Sequence, residues 1–230
     1  MNMLEGGRSL PELRQRATAM PDSNVCVVVI DDDPDFRESL GRLLRSAGLR
    51  SRLFESIDDF LSAERPESAS CLVLDVRLPG RSGLDFQLEL SAAGVGLPII
   101  FITGHGDIPM TVRAMRGGAI EFLTKPFRDQ DLLDAVNVGL ARDRARRENE
   151  IALERLKARF EELTPRERAI LAQVVKGRLN KQIAGEMGIT ETTVKVHRSN
   201  MMRKIKAASV AELCRMVDKL KPLPESSKAS

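Results

Sequence analysis

"CLVLDVRLPG", residues 71–80, opens as an apolar run and finishes on a charge. Cys71, Leu72, Val73 and Leu74 are apolar, Asp75 closes the run, and a Pro-Gly turn follows at Pro79-Gly80. A short continuous apolar run bounded by a turn is the pattern of a strand buried on both faces. A core strand that ends in a carboxylate needs a reason, and the neighbouring segments supply one.

Apolar runs recur at "VCVVVI" (25–30), "LRSRLF" (49–54), "LPIIFIT" (97–103) and "AIEFLT" (119–124). Segments with helical periodicity lie between them, at 34–47, 56–63, 82–93, 107–117 and from 128 onward. Asp33-Pro34 offers a side-chain acceptor before a proline at the first helical position. Ser82-Gly-Leu-Asp85 has capping-box spacing, with Asp in place of Glu or Gln. Five strands alternating with five helices predict an α/β fold, a doubly wound five-stranded parallel sheet.

Such sheets carry functional groups at the carboxyl ends of their strands. Asp31 and Asp32 close the first strand, Asp75 the third and Thr103 the fourth; Lys125 follows the fifth, directly before Pro126. Three carboxylates brought together repel one another unless a cation joins them. A few hard oxygen ligands with room for water and phosphate favour Mg²⁺. Together with Mg²⁺, Lys125 and Thr103 could hold the oxygens of a phosphoryl group on Asp75, since carboxylates are known nucleophiles for aspartyl-phosphate formation.

Net charge is +3, unevenly spread. Asn24 to Leu140 holds 12 Lys and Arg against 18 Asp and Glu, a net of −6, whereas Leu163 to Leu220 holds 12 against 5, a net of +7. An acidic front and a basic back predict two domains with different partners, the basic one facing nucleic acid. The segment 128–162 interleaves both signs with no proline, and reads as the fifth helix continuing into a helical linker. Leu140, Ile151, Leu153, Leu156 and Phe160 form a partial apolar stripe along it, which fits either a solvated spacer or a dimerisation helix. Beyond it, Thr164-Pro-Arg-Glu167 is a capping box, Gly177 and Gly188 end successive helices, Thr190 caps a helix reaching about Ile205, and Ser209 caps a last one. The order short helix, glycine turn, basic helix is that of a helix-turn-helix module. The expected boundaries are an extension at 1–23, a sheet domain at 24–127, the linker at 128–162, an all-α four-helix module at 163–221 and a tail at 222–230.

Three scattered cysteines with no CxxC predict reduced thiols and a cytoplasmic setting. His105 and His197 lie far apart, which argues against a histidine-based zinc site; Trp and Tyr are absent. No apolar run approaches the roughly 18 residues of a membrane span.

Residues 25–127 resemble a response-regulator receiver domain of flavodoxin-like fold, through "VIDDD" (29–33), "LVLDVRLPGRSGLDF" (72–86), "FITGHGD" (101–107) and "FLTKPF" (122–127). The back half resembles the LuxR and NarL type of helix-turn-helix domain, through "LTPRERAIL" (163–171) and "NKQIAGEMGITETTVKVHRSNMMRKI" (180–205). Together they are similar to the FixJ branch, including regulators of aromatic-compound catabolism. The resemblance implies Asp75 as phosphoacceptor, Asp32, Asp75 and the backbone carbonyl of Arg77 as Mg²⁺ ligands with Asp31 acting through water, Lys125 as the phosphate-pairing lysine before a cis Pro126, and Thr103 with Phe122 as a switch pair. It also implies a sensor histidine kinase and double-stranded DNA as partners, a homodimer when phosphorylated, RNA polymerase as a further partner, and slow self-phosphorylation and dephosphorylation rather than enzyme turnover. Met110, Arg113, Ala114, Arg116, Phe122 and Asp131 are candidates for the dimer face.

The second helix of a helix-turn-helix enters the major groove. Thr192, Lys195, Val196, Ser199 and Arg203 share one face by their spacing, and Val194, His197, Met201 and Ile205 share another, suited to packing. Lys195 suits a guanine edge and Val196 a thymine methyl. Arg198, Arg203, Lys204 and Lys206 suit phosphates, as do Thr190 and Thr193 near the helix start. Two other readings stay open here: a receiver used only as a phosphorylation-independent dimerisation scaffold, and an aspartyl-phosphate phosphatase.

Overall fold

The computed structural model describes residues 25–63 and 69–220, in two units that divide between Glu148 and Asn149. The expected N-terminal extension and C-terminal tail lie outside the described residues.

In the first unit, strands β1 (Cys26–Ile30), β2 (Ser51–Phe54), β3 (Ala69–Asp75), β4 (Ile99–Thr103) and β5 (Glu121–Thr124) alternate with helices α1 (Pro34–Ser46), α2 (Ile57–Ser62), α3 (Gly83–Ala92), α4 (Ile108–Arg116) and α5 (Asp129–Glu161). The strands pair in parallel in the order β2-β1-β3-β4-β5. Strand parity sorts the core into two layers. Val28, Ile30, Leu72, Leu74 and Phe101 pack with Ile57, Phe60, Leu84, Phe86 and Leu90 of α2 and α3. Val27, Val29, Cys71, Val73, Ile100 and Ile102 pack on the other face with Leu40 and Leu44 of α1 and Leu132 and Val136 of α5. The central strands β1, β3 and β4, covered on both faces, read as nearly unbroken apolar runs, whereas the edge strands β2 and β5 carry polar residues and are only partly buried.

Local chemistry sets the helix starts. Asp33 caps α1 by accepting from the Asp35 and Phe36 N–H groups, at 3.0 and 3.1 Å. Ser82 caps α3 by accepting from Leu84 N at 3.3 Å, but Asp85 does not return the bond expected of a capping box. Its carboxylate instead binds Arg113 of α4 at 2.7 Å. Gly83 permits the close approach of α3 to β3, because a Cβ there would collide with the Asp75 carbonyl oxygen. The buried Gln87 amide donates to Ala114 O at 3.1 Å and ties α3 to α4.

The expected linker is the later part of α5, a single helix of 33 residues. Its stripe is used at both ends: Leu140 packs on the sheet core, Leu156 is buried, and Phe160 packs on the core of the second unit. Its polar side carries a buried acid, Asp143, bound by Arg146 and Arg147 at 2.6 and 2.5 Å.

The second unit continues with α6 (Pro165–Val175), α7 (Asn180–Met187), α8 (Glu191–Ile205) and α9 (Val210–Leu220) around Ile170, Val174, Ile183, Val194, Met201, Ile205 and Leu213. The Thr164–Glu167 capping box forms in both directions. Gly188 turns α7 into α8 with a left-handed backbone, φ 64°. Lys206 ends α8 in the same conformation, φ 61°, without being glycine.

All three cysteines are free thiols; Cys26 and Cys71 are buried and Cys214 is half-buried. Burial pushes the Cys71 thiol up to about 12, with the Asp143 charge adding to the rise.

Candidate functional site

The order β2-β1-β3 makes β1 and β3 neighbours, with connections leaving in opposite directions, so a crevice opens beyond their carboxyl ends. The residues singled out from the sequence converge there. Asp31 is fully buried at the end of β1, Asp75 is buried at the end of β3, and Asp32 is exposed beside them. One carboxylate oxygen from each of the three lies within 4.8 Å of the others. Lys125, just beyond β5, reaches Asp31 Oδ2 at 2.7 Å and Asp75 Oδ2 at 2.9 Å.

Burial pushes the Asp31 carboxyl above its ordinary value, against the pull of the Lys125 ammonium and of the Asp33 N–H, which donates to Asp31 Oδ1 at 3.0 Å. Burial also works to lower the pKa of Lys125, but its bonds to Asp31 and Asp75 outweigh that and raise it. An acid-rich pocket therefore already holds one resident cation. Three oxygen donors on three side chains, partly open to solvent, fit a hard divalent cation such as Mg²⁺.

Arg77 N donates to Asp75 Oδ1 at 2.9 Å, and the turn after it closes through Gly83 N to Val76 O at 3.0 Å. Thr103 is fully buried; its hydroxyl accepts from His105 N at 3.3 Å and its carbonyl from Lys125 N at 2.8 Å. The Lys125-Pro126 bond is cis. Phe122 is half-buried, 6.3 Å from the Phe101 ring. A Cβ on Gly106 would come 3.0 Å from Phe122 Cε1 and 3.3 Å from Thr103 Cγ2, so this glycine lies where the two switch candidates draw together. Ala114, expected on a dimer face, is fully buried in the core and is withdrawn from that surface. One neighbour was not foreseen: Lys125 Nζ lies 3.9 Å from the centroid of the Phe36 ring.

In the second unit, α7, the Gly188 turn and α8 form the expected helix-turn-helix. Thr192, Lys195, Val196, Ser199 and Arg203 are all exposed, while Val194, Met201 and Ile205 are buried and His197 half-buried, so the two faces divide as their spacing indicated. Val196 is 54% exposed, a large apolar side chain left to solvent. Thr190 accepts from Thr193 N at 3.1 Å, and their hydroxyls meet at 2.8 Å.

Two of the expected phosphate contacts are engaged inside the module. Arg198 donates to Asn180 Oδ1 at 2.8 Å, linking α8 to the start of α7. Lys204 donates to the buried Glu167 carboxylate at 2.7 Å and to Glu162 O at 3.2 Å. That hydrogen bond holds the Glu167 carboxyl below its ordinary value, helped by the Thr164 N–H and hydroxyl and opposed by burial.

Comparison with known proteins agrees with this division. Residues 27–137 match the response regulator receiver domain, and residues 161–217 match the bacterial regulatory proteins of the luxR family. The chain is 54% identical over 194 residues to Nodulation protein W of Bradyrhizobium diazoefficiens, covering 84% of this chain and 86% of that one. It is 47% identical over 202 residues to the response regulator protein TmoT of Ectopseudomonas mendocina, covering 88% and 92%. The solved structure of the response regulator StyR superposes with a TM-score of 0.75 at 51% identity, covering 86% of this chain and all (100%) of that one. With its sheet-edge carboxylates in one half and an exposed helix-turn-helix face in the other, the chain belongs to the response regulators that join a receiver to a LuxR-type DNA-binding domain and regulate transcription in two-component systems.

Proposed function

We propose that Asp75 accepts a phosphoryl group from a sensor histidine kinase, and that this covalent mark controls binding of the second unit to double-stranded DNA. The observation that carries the reading is the meeting of Lys125 Nζ with Asp31 and Asp75 at 2.7 and 2.9 Å, beside Asp32. An Asp75 oxygen bonds to phosphorus as the P–N bond of a phosphohistidine breaks, and the electron pair leaves with the imidazole, which takes up a proton. Positioning and charge neutralisation carry most of such a transfer. Asp31, Asp32, Asp75 and the Arg77 carbonyl would hold Mg²⁺, which supplies positive charge to the phosphoryl oxygens when bound. Lys125 pairs with those oxygens, and the Thr103 hydroxyl donates to them.

Movement of Thr103 toward the phosphoryl group frees space beside Gly106 for the Phe122 ring. The α4–β5–α5 face of the receiver then favours a homodimer, with Arg113, Arg116 and Asp131 at its rim. Lys195 and Val196 read base edges, Thr192 and Ser199 flank them on the same face, and Thr190, Thr193 and Arg203 approach phosphates. Arg198 and Lys204 act by holding α8 in place. The setting is the cytoplasm, where kinase and DNA are both reached; among the described residues no helix is long and apolar enough to cross a membrane.

The test is uptake of label from ³²P-acetyl phosphate with Mg²⁺, followed by gel-shift titration on the operator. The wild type is expected to label and to bind more tightly once labelled, and Asp75→Asn to do neither. A wild type that labels but binds no better would leave the receiver as a scaffold, and sustained turnover of a phosphomonoester would mark it as a phosphatase.

A further inference from the structure

We infer that Phe36 is a positioning residue for the phosphoryl-transfer site: its ring face, with Asp31 and Asp75, holds the Lys125 ammonium where the incoming phosphoryl oxygens need it. The inference rests on the reading of Asp75 as acceptor. Lys125 ends a flexible four-carbon stem, and its charge is useful only if the stem is held. Two carboxylates hold Nζ on one side, at 2.7 and 2.9 Å. A third neighbour of Nζ is the Phe36 ring, 3.9 Å from Nζ to centroid, within the range of a cation–π contact.

Phe36 is itself fixed twice. Its N–H donates to Asp33 Oδ1 at 3.1 Å in the first turn of α1. Its ring meets Phe127 edge to face, 6.0 Å between centroids at 83°. Phe127 follows Lys125 across Pro126, so the ring over the ammonium rests on an aromatic two residues from the lysine itself. The Phe36 face also keeps water from that side of the ammonium, and a less hydrated charge acts more strongly on its partners. An aliphatic side chain would fill similar space without presenting a negative face. Nothing covalent passes through the ring; it spares the lysine a search during transfer.

Full-length wild type, Phe36→Leu and Phe36→Tyr are compared. The first readout is the rate at which Asp75 takes label from ³²P-acetyl phosphate with Mg²⁺. The second, taken without donor or metal, is the proton NMR position of the Lys125 ε-methylene, which a ring face above it moves upfield. Phe36→Leu is expected to label about three- to tenfold more slowly and to lose the upfield displacement, with Phe36→Tyr within about twofold of wild type on labelling and keeping it. Wild-type rates in Phe36→Leu would overturn the inference. So would equal slowing in Phe36→Tyr, which would assign the effect to packing alone. A wild type that takes no label at Asp75 would overturn the acceptor reading itself, a result recognisable because it needs no variant.

Discussion

Lys204 of α8 and Glu167 of α6 meet at 2.7 Å, and the Thr164 N–H closes on the same carboxylate oxygen at 2.8 Å. Glu162 O also accepts from Lys204 at 3.2 Å. One ammonium therefore fastens the last turn of α8 to α6 and to the junction between α5 and α6.

Glu167 has a carboxyl pKa below its ordinary value, so the folded form binds its proton less readily than the unfolded chain. The stability it contributes is complete above the ordinary glutamate range of about 4.3 and falls as pH drops through the folded value. Urea unfolding of the second unit, followed by the buried Met201 methyl signal, should show a lower midpoint at pH 4 than at pH 7. Glu167→Gln should flatten that dependence. It should also cost about 1–3 kcal/mol at pH 7, because Lys204 loses its charged partner. Equal pH sensitivity in the variant and the wild type would contradict this.

DNA affinity measured against salt separates the two kinds of cation on α8. Arg203→Ala should reduce the slope of log K against log salt by about 1, the expectation for one lost phosphate contact. Lys204→Met should weaken binding while leaving the slope unchanged, since its charge is spent on Glu167. A reduced slope for Lys204→Met would return it to the DNA surface.

Gly83→Ala tests how closely α3 must approach β3. The added methyl meets the Asp75 carbonyl, which belongs to the strand and has little room to yield. A loss of about 1–3 kcal/mol in the urea midpoint of the first unit is expected, with slower labelling of Asp75. Unchanged stability would show that the helix can back away.

Lys206→Gly should do the opposite in the second unit. A β-carbon in the left-handed conformation is strained, and glycine relieves it at a helix end. A gain of about 0.5–1 kcal/mol is expected in the midpoint reported by Met201. A loss would mean that the lysine side chain makes up for the strain of its backbone.

Much of the fold was legible because it depends on neighbours in sequence. Continuous apolar strands, Asp33 before Pro34 and the Thr164–Glu167 box are short-range signals, and each formed as read. The sheet-edge site was legible for a related reason: parallel topology sends every strand's carboxyl end to one side, so Asp31, Asp75 and Thr103 needed only their strand-end positions to be grouped. What escaped were choices between partners. Asp85 could have closed the Ser82 box but found Arg113, which lies 28 positions on. Lys204, expected at a phosphate, is paired with Glu167, 37 positions back. Nothing in the spacing around Phe36 pointed to Lys125, whose ammonium lies over its ring at 3.9 Å. In each case a contact between residues distant in sequence decided the outcome, and local spacing carries no record of that.

The thiols described above have a practical consequence. With Cys71 buried and raised to about 12 and Cys26 buried with its pKa also raised, maleimide reagents at neutral pH should couple to Cys214 alone. In a chain without tryptophan or tyrosine, a dye attached there would be the dominant optical reporter, placed on α9 rather than on the sheet. Events in the second unit, DNA binding among them, could then be followed as a change in the dye's colour or polarisation.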